Sequence, residues 1–175
     1  MPEKDRKIMK LNNIKIIIFL YGLIVCLTFL PSMDLTGMAQ TAAFAKDIHI
    51  VKYLKKHTIK EIYVVPQNPK RWGLLISDIS NSIIFSNKYF LNYKIAVVAY
   101  GPVGIKFLMK KFNKKFYPDL QSFNSYGVKF IACNETMETL HIKKRELFKF
   151  ADIVYPGVVL YIVKKEQQGY VYIPL

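Results

Sequence analysis

The sequence is poor in the residues that mark several common protein classes. Only two of its 175 residues are cysteines, Cys26 and Cys133, which excludes a disulfide framework. Glycine and proline occur eight times each, too few for a collagen-like repeat or a Pro/Gly-rich disordered chain. Arginine is confined to Arg6, Arg71 and Arg145, so the formal net charge of +14 is almost all lysine. A charge of that size invites a nucleic-acid reading, because neutralising phosphates dominates non-specific affinity. These lysines, however, are scattered among Ile, Asn and Tyr, as a solvated face or a codon bias toward A and T would leave them, and no nucleic-acid partner is expected. There is no G-x-G-x-x-G pattern for a dinucleotide-binding turn. The three histidines are His49, His57 and His141, and no Ser–His–Asp order can be assembled from them. Glu138 and His141 offer two ligands where a metal site needs more, so neither a metal nor an organic cofactor is expected.

What is present describes a folded chain: 52% hydrophobic and 22% charged residues, at a length that suits one domain with its own core. The first 45 residues read as a leader rather than as fold. Five basic residues in the first fifteen positions precede residues 16–30, which carry no charge and fall short of the about 20 residues of a membrane span. Small residues pair at Gly37 and Ala39 and at Ala43 and Ala45, giving cleavage before Gln40 or Lys46. The distance from Leu30 to Ala45 is long for a cleavage region, so an uncleaved N-terminal anchor is the alternative. Val25 before Cys26 argues against lipoprotein processing, which wants a small residue there. The expectation is an exported protein, periplasmic or secreted, with a membrane attachment only if residues 16–30 remain. Without its first 45 residues the chain keeps 21 basic against 9 acidic residues, a net charge of +12.

Residues 46–60 form a basic lead-in with Val51 and Leu54 at helical spacing, and residues 61–175 carry the domain. EIYVV at 61–65 is a β-branched run stopped by Pro66, which predicts a strand. Asn68-Pro69 is a helix start, with the amide as cap and proline at the first helical position. It opens a stripe of Trp72, Leu75, Ile76, Ile79 and Ile83 opposite the polar Ser77, Asp78, Ser80 and Asn81. KIAVVAY at 94–100 is almost continuously apolar, as a strand covered on both faces is. The turn GPVG at 101–104 leads into Ile105, Leu108, Met109 and Phe112 at helical spacing. Pro118 then opens a helix with Leu120 and Phe123 inward, and Gly127 closes it. Strands at 128–133, 151–155 and 170–173 are separated by a turn with helical pieces and by a helix at 157–168 that Gly169 closes. This alternation predicts a three-layer α/β/α domain with a mainly parallel sheet of about five strands.

Five motifs recur in order: NPKRW at 68–72, VVAYGPVG at 97–104, GVKFIACNETM at 127–137, YPGV at 155–158 and GYVYIPL at 169–175. Through them residues 61–175 resemble the DsrE/DsrF-like proteins, small α/β domains associated with sulfur oxidation and with sulfur relay to transfer RNA modification. The resemblance implies that Cys133 matches the family cysteine that carries sulfur as a persulfide. It also implies a homo-oligomer, trimer or hexamer, and a protein that donates or accepts sulfur. Tyr100 stands where the family's glycine-proline turn commonly follows a histidine, and the leader departs from the cytoplasmic members.

The residues themselves leave two roles open for Cys133. At the carboxyl end of a parallel strand it stands where ligands of open α/β sheets bind. A following helix start, with Lys143, Lys144 or Arg145, would favour the thiolate that attacks sulfane sulfur, provided the thiol is reachable. The plainer role is a small buried apolar side chain. Asn134 and Thr136 either line a pocket beside Cys133 or cap the next helix. Gly101 and Gly104 either present backbone N–H groups to an anion, as a pocket wall, or simply make the turn. The function expected is sulfur binding or relay through a single cysteine. The alternative is a non-catalytic homo-oligomeric binding module that retains the fold.

Overall fold

The computed structural model describes residues 49–175; the leader, its cleavage sites and Cys26 lie outside the described residues. After a helical lead-in over 49–54, strand β1 (Ile59–Val64) runs to Pro66. Asn68 then does what its chemistry allows: its Oδ1 accepts the Lys70 N–H at 3.1 Å and caps a 3-10 turn, Pro69–Arg71. That turn continues into helix α1 (Trp72–Lys88), whose Trp72, Leu75, Ile79 and Ile83 are buried with Ile76 packed beside them. Each such side chain contributes roughly 1.5–3 kcal/mol on burial, enough to fix the helix against the sheet.

Strand β2 (Tyr93–Ala99) is buried without a break from Ile95 onward. The GPVG turn is a single helical turn, α2 (Gly101–Gly104), followed by a 3-10 turn, Ile105–Leu108. Here the expected helical spacing fails: Phe107 is fully buried and Phe112 is 48% exposed. The helix stops because Met109 takes up extended backbone and makes an antiparallel bridge to Leu147. The buried Asn113 side chain then holds the Phe107 carbonyl at 2.7 Å. Helix α3 (Tyr117–Ser125) turns Leu120 and Phe123 inward and ends at Gly127, whose φ of +87° suits glycine.

Strand β3 (Lys129–Cys133) passes directly into the short helix α4 (Asn134–Thr139). His141 lies beyond the end of α4 at φ +55°, so it does not share a helical face with Glu138. Among the described residues no group of three His, Cys, Asp or Glu could hold a metal ion. Strand β4 (Ala151–Val154), helix α5 (Val158–Gln167) and strand β5 (Val171–Ile173) complete the domain.

The five strands form one sheet in the order β4-β3-β2-β1-β5, with every neighbouring pair parallel. Its connections divide by direction. Stepwise crossovers from β1 to β4 put α1, α3 and Met137 of α4 on one face, in the larger core. The step from β4 back across the sheet to β5 runs the other way, so the right-handed crossover rule sends α5 to the opposite face. There Val158, Tyr161 and Ile162 pack on Ile62, Ala96, Val98, Ile131 and Cys133.

Candidate functional site at the carboxyl edge

Because all strands are parallel, their carboxyl ends share one edge of the sheet, and Cys133 ends β3 there, in register with Val154 of β4. The chain leaves β3 toward the face of the larger core, through α4, and leaves β4 toward the face of α5. Neighbouring strands whose connections part to opposite faces leave a crevice between them, the usual ligand position in an open α/β sheet. Cys133 ends the strand beside that switch point, with its side chain buried in the apolar cluster under α5.

The loop from β4 to α5 closes over it. A Cβ built on Gly157 would stand 3.8 Å from Cys133 Sγ and 2.9 Å from Glu135 Oε2, so thiol and carboxylate flank the same point of backbone. Cys133 is 3% exposed, while Tyr155 just outside is 67% exposed. The ready access expected of a carrier thiol is therefore absent in this conformation. Lys144 and Arg145 sit in a 3-10 turn, Lys144–Glu146, that Lys143 precedes as its cap, and none of the three has a hydrogen bond or ion pair to Cys133. The charge beside the thiol is the carboxylate of Glu135 instead.

Neither Asn134 nor Thr136 caps α4, whose N-cap is Cys133 itself with no side-chain bond. Asn134, 9% exposed, donates Nδ2–H to Glu138 Oε1 at 2.7 Å, one turn along the same helix. Thr136 Oγ1 accepts the Gly101 N–H at 3.0 Å and so ties α4 to the turn after β2. The structure thus brings Cys133, Thr136 and Gly101 to one edge, where that bond joins Thr136 to Gly101.

The GPVG turn is held by a residue the sequence did not single out. Gln67, just past β1, donates Nε2–H to the Tyr100 carbonyl at 2.8 Å, while its Oε1 accepts the N–H groups of Gly104 at 3.2 Å and Val103 at 3.4 Å. These are the amides that an anion would use, and here a side-chain amide uses them. Gly101 has φ +67°, and a Cβ on Gly104 would stand 2.6 Å from Gln67 Nε2 and 3.3 Å from the Val65 carbonyl. Gly101 supplies the positive φ of the turn, and a side chain on Gly104 would push the Gln67 amide from its place.

Glu135, the second residue after the cysteine, carries no local signal of a role beside it. Only the distant Gly157 reveals its position beside the thiol.

No family model matches the chain. Over 75 residues it is 37% identical to the uncharacterized protein YrkE of Bacillus subtilis (strain 168), a match covering 42% of this chain and 46% of that protein. The chain thus spans about half the length of the curated relative it matches. Among solved structures it resembles a protein of unknown function, MTH1491 from Methanobacterium thermoautotrophicum, with a TM-score of 0.56 and 26% identity. That alignment covers 67% of this chain and 97% of the other.

Proposed function

We propose that this is an exported DsrE-like protein that binds or relays sulfur through Cys133. The observation that carries the reading is the place of the thiol: the end of β3, where the connections of neighbouring strands part, beside Gly157, whose missing side chain would meet Glu135 and Sγ. The chemistry needs one thiol and no cofactor. The Cys133 thiolate attacks the outer sulfur of a donor persulfide or polysulfide. A new S–S bond forms at Cys133 as the donor's S–S bond breaks, and the donor departs as a thiolate, with no net oxidant consumed. Thr136 holds the turn after β2 against the same edge. Reversal onto an acceptor thiol completes a relay.

The test is intact mass of the exported protein after exposure to polysulfide, with Cys133→Ser alongside. Mass gains of whole sulfur atoms that vanish in the variant support the reading; equal gains in both, or none, refute it. The unexposed mass also reads whether the chain begins near Gln40 or Lys46, as a cleaved leader requires, or at Met1, as an anchor requires.

One observation favours a second reading, a non-catalytic homo-oligomeric module. Cys133 is buried among the apolar side chains under α5, while that helix turns Val159 and Leu160 outward at 70% and 63% exposure. An apolar helix face of this kind supports association of copies under either reading.

A further inference from the structure

The edge of the sheet opposite Cys133 gathers lysines. Ile62, Ala96 and Ile131 face α5, so Lys60, Lys94 and Lys129, each two residues earlier on its strand, face the same way. The register pairs Lys60 directly with Lys94 and sets Lys129 against Ala96, one strand further on. Neighbouring parallel strands lie about 4.8 Å apart, and like charges directly opposite are unfavourable. Lys60 is partly answered, since its Nζ donates to the Gln168 carbonyl at 2.7 Å. From α5 comes Lys165, whose ammonium lies 5.0 Å from the ring centre of Tyr170 and 5.3 Å from that of Tyr161. Burial, then the charges of Lys164, Lys94 and Lys60, lowers the Lys165 pKa below its ordinary value.

Beside them lies a cavity of about 620 Å³ that Lys94, Lys129 and Lys165 line together with Tyr93, Tyr126 and Tyr170, and among the described residues no aspartate or glutamate lines it. The volume falls within the about 300–1,000 Å³ of small-molecule sites. Three ammonium groups around one concavity suit a multivalent anion, for which lysine is a common point-charge partner. The rings of the exposed Tyr126 and of Tyr170 offer flat apolar surface to a planar group, while Tyr93 packs against the larger core and donates its hydroxyl to the Tyr126 carbonyl.

We propose that this amino-edge cavity binds a phosphorylated small molecule with a flat ring. The site is independent of Cys133, which lies at the carboxyl edge, and the backbone amides of a glycine loop take no part in it.

The test is calorimetric titration of the full chain with adenosine monophosphate, adenosine and inorganic phosphate. The monophosphate should bind at least tenfold more tightly than either of the others. Lys94→Gln with Lys129→Gln should weaken it at least tenfold, Lys94→Arg with Lys129→Arg should retain most of it, and Lys149→Gln, at a separate lysine-lined cavity, should leave it unchanged. Circular dichroism establishes that the variants are folded, which removal of the Lys94 charge facing Lys60 favours. No binding at millimolar concentration, equal affinity for phosphate and the monophosphate, or indifference to the double glutamine variant overturns the proposal. A single-stranded oligonucleotide that binds far more tightly than the monophosphate would make the face a polymer surface and overturn it as well.

Discussion

Gly157 lies against Glu135 so closely that a methyl group on its Cα would stand 2.9 Å from the carboxylate oxygen Oε2. The obstructing atom ends a flexible side chain, so Gly157→Ala should cost less than about 1 kcal/mol, within the usual range for point changes. The added methyl covers Sγ, and alkylation of Cys133 in the folded protein should slow. Glu135→Ala in the same chain should restore the rate, a coupling between the two positions that a double-mutant cycle reads. Independent effects would mean that the two residues do not share the space over the thiol.

Cys133 itself should react with iodoacetamide in the folded protein, but more slowly than a cysteine in an unfolded peptide, because its side chain is buried. Labelling that occurs only after denaturation would leave the thiol a core side chain and remove the relay.

The turn after β2 should prove to be a stability element. Gly101→Ala places a side chain at φ +67° and should destabilise by about 1–2 kcal/mol. Gln67→Ala strips partners from the Tyr100 carbonyl and from the Gly104 and Val103 amides, at about 1–3 kcal/mol. Because the Gly101 methyl would also meet Gln67, the double variant should lose less than the sum. Urea denaturation measures all three.

Alkaline pH should loosen the helix that covers Cys133. Burial, followed by the charges of Tyr170 and Asp152, pushes the Tyr161 hydroxyl from an ordinary 10.0 up to about 12. The unfolded chain therefore releases this proton first, so the group's contribution to stability is intact below pH 10 and is lost between pH 10 and 12. Tyr161→Phe should flatten the decline across that window in thermal melts; a decline equal to that of the parent would assign it to other groups.

Light scattering of the folded domain should give a multiple of the monomer mass at micromolar concentration. Val159→Glu with Leu160→Glu should reduce that mass, since charges on an apolar interface must be desolvated to bury it. A monomer in the unsubstituted chain would sink the oligomer.

The local pattern of the sequence determined most of the elements. The stripe from Trp72 to Ile83, the unbroken apolar run of β2 and the Asn68-Pro69 start each state a conformation within a few residues, and each formed. Cys133 was legible as a strand end for the same reason, and so was the parallel α/β sheet that the alternation implies. Phe107 and Phe112 exchanged places because a 3-10 turn and the bridge from Met109 to Leu147 reset the spacing, and that bridge spans a separation no local period encodes. Tertiary structure alone decided which face Cys133 looks toward, since that depends on the path of α5 back across the sheet. It also placed Gln67 under the glycine turn, Glu135 under Gly157, and Lys60 opposite Lys94. Each of these meetings joins residues from separate elements, and contacts of that kind exist only once the strands have chosen their order and register.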